Sequence, residues 1–331
     1  MLGRSTPAVQ VDGLRKSFRA KEKAPGLRGS LVSLVRPRYR DVAAVGGISF
    51  QIQPGEVVAF IGPNGAGKST TIKMLTGILH PSAGTALVLG LVPWAQRQKL
   101  AYQIAAVFGQ RSQLWYHLPP IDSFNLLAEI YELDRPAYEH RLAALVDQFQ
   151  VEPLLRTPVR KLSLGERMRC EIVGSLLHQP QVLFLDEPTI GLDVVAKQRI
   201  RAHIRALNAQ AGTTVFVTSH DADDVEQLCQ RVIVINHGQM IFDDSVAALK
   251  RQFLSRKVVA LKLLAPPGVV DLPGVSVLRQ EDFALTLEVD PTRQPIEAVV
   301  AHILATCRVA DVTITDPPLE EIIAAMYQAP P

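Results

Sequence analysis

The segment from Val57 to Thr70, Val57-Val58-Ala59-Phe60-Ile61-Gly62-Pro63-Asn64-Gly65-Ala66-Gly67-Lys68-Ser69-Thr70, limits what this chain can fold into more than any other. Its first five residues are apolar without a break, as in a strand buried on both faces. Residues 62–69 fit GxxxxGK[ST], and Thr70 to Leu79 reads as a helix that stops before His80-Pro81-Ser82-Ala83-Gly84. Strand, glycine loop and helix in that order make a cradle for phosphate. The glycines let successive amides curl towards an anion, and the helix start adds its positive end. On this reading Gly62, Pro63, Asn64, Gly65, Ala66 and Gly67 form the loop, and Thr70 closes the set. Lys68 reaches the β- and γ-phosphates, and Ser69 offers its hydroxyl to magnesium. A chance glycine turn before a helix is the alternative, and the complete motif in this context argues against it.

Two further apolar runs end in polar groups suited to hydrolysis. Val182 to Leu185 delivers Asp186 and Glu187, and Thr214 to Thr218 delivers Ser219 and His220. Side chains alternate across a strand, so two adjacent acids at a strand end cannot both serve the core. Asp186 is placed to support magnesium through its water shell, and Glu187 to polarise an attacking water. His220, after its own strand, can hold that water or Glu187, although a lone histidine is more often structural. Short apolar strands separated by helical stretches indicate an α/β core with a largely parallel sheet.

Around that core the character of the chain changes three times. Residues 9–60 hold short β-like runs, as in Ile48-Ser49-Phe50-Gln51-Ile52. Residues 112–180 turn helical, with apolar spacing of three and four in Phe124 to Leu133 and Tyr138 to Phe149. After Ala248, Val258 to Leu263, Phe283 to Val289 and Val309 to Thr315 are strand-like and Pro295 to Thr306 is helical. The expected division is a nucleotide-binding domain over 1–244 and a small α+β domain over 245–331. A chain of 331 residues, 47% apolar, can fill both cores. Only one glycine loop is present, so one nucleotide site assembly is expected.

No membrane span is expected within the chain. The longest interval without a formal charge, Met74 to Gln96, is broken by the turn at 80–84. The opening Met1-Leu2-Gly3-Arg4-Ser5-Thr6-Pro7 has no apolar stretch behind it, so no secretory leader is expected. Cys170, Cys229 and Cys307 form no CxxC pair, which argues against a zinc site or a disulfide framework. The net charge of +3 is small, but residues 15–40 hold nine basic side chains against the single acid Glu22.

Taken in order, GPNGAGKST at 62–70, Gln110, Leu162-Ser163-Leu164-Gly165-Glu166, LFLDEPTIGLD at 183–193 and Ser219-His220 resemble the ATP-binding subunit of the ABC family. The likeness is strongest to subunits serving multidrug-type and ABC-2-type exporters, and covers about residues 45–245. It implies a P-loop fold with an N-terminal antiparallel β portion and an inserted helical subdomain, ATP and magnesium as ligands, and ATP hydrolysis. It further implies that Gln110 touches magnesium and the attacking water and senses a membrane partner. Ser163 and Gly165 would close on the γ-phosphate of ATP held by a second copy, or by a homologous ATPase subunit, and Gly191-Leu192-Asp193 would couple the two sites. A multi-span membrane permease would be the other partner, with the chain peripheral on the cytoplasmic face of the membrane.

This sequence departs from the family pattern in its signature. Leu164 and Glu166 stand where the family has glycine and glutamine, adding bulk facing the other subunit and a negative charge near triphosphate, unless Glu166 turns into the helix or pairs with Arg167 or Arg169. The adenine platform is Phe18 or, less favoured, Tyr39. The basic insertion from Arg19 to Arg40 reads as a short membrane-surface helix, a lid beside the nucleotide, or a solvated loop. Nucleic acid is not an expected partner, because stacking aromatics are sparse. The competing function is a soluble ABC-type ATPase acting on DNA or the ribosome. Against it, no long charged heptad segment lies between Gln110 and Leu162, and there is one cassette rather than two.

Overall fold

The structure is a computed structural model that describes residues 6–22, 38–109, 112–253, 256–266, 272–316 and 319–328. The chain divides into two compact units, Met1–Asp244 and Ser245–Pro331. The first opens with a long antiparallel ribbon in which β1 (Val9–Glu22) pairs with β2 (Arg38–Ile52), from Val9 opposite Ile52 to Glu22 opposite Arg38. β3 (Val57–Ile61) leads through the glycine loop into α1 (Lys68–Leu75), and β4 (Ala83–Val88) returns to pair with β1.

One expectation is corrected here, and another falls largely outside the described residues. The basic segment is strand at both ends, with Arg19 opposite Asp41, Ala20 opposite Arg40 and Lys21 opposite Tyr39. A ladder needs only backbone groups, so these charged residues extend the ribbon with no apolar pattern to announce it. The helix, lid and loop readings fall on residues 23–37, which lie outside the described residues. The helix read as Thr70 to Leu79 runs instead from Lys68 to Leu75. The Thr76 hydroxyl donates back to the Ile72 carbonyl (2.9 Å), and Gly77 at φ 71° turns the chain away.

After α2 (Arg97–Ala101) come the remaining strands of the central sheet: β5 (Ile104–Phe108), β6 (Val182–Asp186), β7 (Thr214–Ser219), β8 (Arg231–Asn236) and β9 (Gln239–Ser245). Their order is β5-β6-β7-β3-β8-β9, and the pairs from β5 through β8 are parallel. Phe50 of the ribbon meets Phe60 of β3 and Phe216 of β7, and Phe216 in turn meets Phe60 and Phe184 of β6, with ring centroids 5.1 to 6.1 Å apart, in the core cluster shared by the two sheets. Burying each such ring stabilises the fold by about 1.5–3 kcal/mol, which accounts for the unbroken apolar runs.

Between β5 and β6 stand α3 (Pro120–Ile130), α4 (Arg135–Phe149) and α5 (Leu164–Leu176), and β6 is followed by α6 (Val194–Ala211). α7 (Ala222–Leu228) follows β7. Parallel register places Phe108 opposite Asp186, Asp186 opposite Thr218, and Ile61 opposite Ser219. The carboxyl ends of four strands therefore meet at one edge of the sheet, where a doubly covered parallel sheet holds its ligands.

The second unit begins with α8 (Val246–Phe253) and contains β10 (Lys257–Leu263), β11 (Val275–Glu281), β12 (Ala284–Val289) and β13 (Val309–Thr315) in the antiparallel order β11-β12-β10-β13. α9 (Ile296–Thr306) lays Val299 and Ile303 on the alternating face of Val259, Leu261, Leu285 and Leu287, and α10 (Leu319–Gln328) completes the unit. Among the described residues no helix is long and apolar enough to cross a membrane.

Candidate functional site

The glycine loop is shaped by close backbone approach. A Cβ on Gly67, whose φ is 108°, would meet the Ala44 carbonyl oxygen at 2.4 Å, and one on Gly62 would meet that of Ile235 at 2.4 Å. Only glycine fits at either place. The loop wraps Lys68, which is 6% exposed, and its Nζ donates to the carbonyls of Gly62 (2.7 Å) and Pro63 (3.3 Å). The Ser69 hydroxyl donates to Asp186 Oδ1 (3.1 Å), so the two oxygen donors read as a metal pair are brought together.

Glu187 follows at the same strand end with φ 56°, a left-handed conformation costly for a residue with a side chain. Thr218 holds it there. The Glu187 amide donates to the Thr218 carbonyl and hydroxyl, each at 3.1 Å, while that hydroxyl donates to Asp186 Oδ1 (2.7 Å). Glu187 Oε1 lies 3.7 Å from Lys68 Nζ and 3.6 Å from His220 Nδ1. The Glu187 side chain is 14% exposed and that of His220 54%, so the imidazole sits on the outer side of the carboxylate. Lys68, Ser69, Asp186 and Glu187 border a cavity of about 540 Å³ that Asn64, Gly65, Gly67, Thr70, Ala44 and Phe108 also line, whereas His220 and Thr218 are not among its lining residues.

Phe18 and Tyr39 are absent from that lining. Phe18 sits opposite Val42 on the ribbon, 41% exposed, with the Lys16 ammonium 5.2 Å from its ring centroid. Tyr39 is 59% exposed, nearer the end of the ribbon. Gln110 lies outside the described residues. The chain just beyond it is anchored to α5, where the buried Glu171 carboxylate accepts from the Gln113 amide (3.0 and 3.1 Å) and from the Ser112 hydroxyl.

Ser163 and Gly165 are elsewhere. They line a separate hollow of about 450 Å³ with Gly191, Leu192 and Asp193. Ser163 caps α5 in a capping box, and Glu166 Oε2 accepts from the Ser163 amide and hydroxyl, both at 2.8 Å. These bonds, the backbone one first, hold the Glu166 carboxyl below its ordinary value. Glu166 thus turns back onto its own helix start. Leu164, expected to face another subunit, is half-buried, with Cδ2 3.0 Å from where a Cβ on Gly191 would stand. Within one chain the signature and the glycine loop line two separate hollows.

The family model described as "ABC transporter" matches residues 45–190. Over 300 residues the chain is 31% identical to the daunorubicin/doxorubicin resistance ATP-binding protein DrrA of Streptomyces peucetius, spanning 88% of this chain and 90% of that one. The chain belongs to the family of ABC transporter ATP-binding proteins. Another member, the Nod factor export ATP-binding protein I of Burkholderia pseudomallei, is 37% identical over 207 residues, 62% of this chain and 67% of that one. A solved ATP-binding subunit of an ABC transporter superposes with a TM-score of 0.62 at 25% identity, covering 75% of this chain and 93% of the other.

As an ABC transporter ATP-binding subunit, the chain binds and hydrolyses ATP. Reading the sequence for motifs located the loop, Asp186, Glu187 and His220 but missed Thr218, whose hydroxyl joins both acids. Its one signal was position: the residue opposite Asp186 in the parallel register can only be found once the strand pairing is known.

Proposed function

We propose that this ABC subunit holds ATP and magnesium on the glycine loop and hydrolyses the β–γ bond when a second ATPase subunit closes over it. The observation that carries this is Glu187 Oε1, 3.7 Å from Lys68 and 3.6 Å from His220, at the cavity edge. The amides of Gly65 and Gly67 and the Lys68 ammonium cradle the phosphates. Ser69 and Asp186 offer an all-oxygen donor pair, which suits magnesium, and the ion when bound neutralises charge on the β- and γ-phosphates. Glu187 Oε1 orients water and takes up its proton as the oxygen bonds to the γ-phosphorus. His220 steadies that carboxylate, and ADP leaves with the β–γ bridging oxygen. Gln110, outside the described residues, is assigned to the water and the metal by the family resemblance alone.

Phe18 is the better adenine platform. It pairs with Val42, two residues from the cavity-lining Ala44, whereas Tyr39 is five residues away, a distance of about 17 Å along a strand. Because Ser163 and Gly165 open on a different hollow, they act on the nucleotide of a partner subunit, and Gly191–Asp193, which line the same hollow, couple the two sites. The chain sits on the cytoplasmic face of a membrane, against a multi-span permease, with export as the direction. Drug resistance and Nod factor export in the names of its relatives favour that over a role on DNA or the ribosome.

The test is Glu187→Gln in the full-length chain. Removing a general base lowers turnover by about 10²–10⁴-fold, while ATP binding persists and the ATP-bound dimer accumulates. Hydrolysis at the unmodified rate would overturn the assignment.

A further inference from the structure

Behind His220 lies a buried ion pair that none of the steps above employs. Asp224 of α7 is fully buried, and its carboxylate accepts from Arg201 Nε (2.7 Å), Ser219 Oγ (2.6 Å) and the Thr189 hydroxyl. Arg201, 2% exposed on α6, also places Nη2 3.4 Å from Asp221 Oδ2 and Nη1 3.9 Å from Asp223 Oδ2. One turn earlier on the same helix, Lys197 donates to Asp221.

The origin of the donors is informative. Thr189 lies two residues after Glu187, Ser219 immediately before His220, and Arg201 two helical turns after Asp193. One carboxylate therefore fastens the loop leaving Glu187, the strand end carrying His220 and the helix capped by Asp193. Asp221, on the other side of His220, is gripped by the same helix. A buried ion pair is a poor source of stability, because desolvation offsets the attraction and apolar residues of similar size pack as well. What such a pair does supply is fixed geometry. The 3.6 Å between Glu187 and His220 is longer than a hydrogen bond, so their separation is set by what holds each segment.

We infer that Asp224 and Arg201 are positioning residues for hydrolysis: through Thr189 and Ser219 they fix His220 against Glu187 and tie both to the Gly191–Asp193 loop. This rests on the assignment of Glu187 and His220 as the groups around the attacking water. Misplacing such groups by about 1 Å costs on the order of a hundredfold in rate.

The experiment is steady-state ATP hydrolysis by the full-length chain. Thr189→Val removes one hydroxyl at nearly constant volume. The expected result is a fall in kcat of about tenfold, part of that misplacement cost, with KM for ATP within about twofold. Thr189→Ser restores the hydroxyl and recovers kcat. Asp224→Asn lowers kcat further. Should that variant fail to fold with Arg201 uncompensated, the Thr189 pair decides alone. An unchanged kcat in Thr189→Val, kcat and KM changing together, or no recovery in Thr189→Ser overturns the inference. A Glu187→Gln variant that still turns over overturns the assignment beneath it instead, so the two failures are distinguishable.

Discussion

Replacing Glu166 by alanine should move two properties in opposite directions. Its carboxylate accepts the Ser163 amide and hydroxyl at 2.8 Å each, and its own amide donates to Ser163 Oγ at 3.3 Å. Losing a cap interaction of this kind costs about 1 kcal/mol, which lowers the melting temperature by about 2–4 °C for a unit of this size. In the closed dimer the same two donors would face the partner's γ-phosphate, so each Glu166 must first release them. Two such releases per dimer amount to about 2 kcal/mol, a factor of about 30 in the dimer equilibrium. Glu166→Ala in a Glu187→Gln background should therefore tighten the ATP-bound dimer about 30-fold by analytical ultracentrifugation while melting earlier.

The pH dependence has a definite sign. The folded carboxyl is held below its ordinary value, first by the Ser163 amide and then by its hydroxyl. Its contribution is present above the unfolded glutamate value, about 4.3, and is lost as pH falls through the folded one. The difference in melting temperature between wild type and variant should accordingly narrow in acid. A variant that weakens both the fold and the dimer would refute the competition between carboxylate and phosphate.

Three further outcomes can be checked. A Cβ on Gly109 would meet the Glu187 carbonyl oxygen at 2.5 Å and that of Asp186 at 3.1 Å, so Gly109→Ala should displace the acids, costing about 1–3 kcal/mol of stability and lowering kcat. A variant of unchanged kcat would show that the strand ends yield without moving Glu187. Burial pushes the Cys170 thiol up to about 12 and raises that of Cys229, whereas Cys307 is half-buried. Mass spectrometry after iodoacetamide at mildly alkaline pH should thus find Cys307 alkylated first. Phe18→Ala should raise KM for ATP about two- to tenfold, the worth of one aromatic stack, at constant kcat, and Tyr39→Ala should leave KM unchanged.

The boundary between local and distant information runs through particular residues. The glycine loop, the acids after β6 and the histidine after β7 were legible because each motif is contiguous and its neighbours announce a buried strand. β5, β8 and β9 were not picked out, although they complete the sheet. Without a motif at its end, a short apolar run does not distinguish a strand from a buried helical segment. The ends of the ribbon, Arg19–Glu22 and Arg38–Arg40, were not picked out as strand because their pairing is made by backbone alone.

The chemistry of the phosphate cradle is therefore written in the order of residues from Val57 to Thr70, since strand, turn and helix propensities act over a few positions. Which groups surround it is a matter of tertiary structure. Thr218 meets Asp186 through parallel register, Asp224 gathers Thr189, Ser219 and Arg201 from three segments, and Ser163 faces a hollow apart from the cradle. Each of those contacts joins residues 5 to 35 positions apart, and their distances were decided only when the sheet and its helices packed.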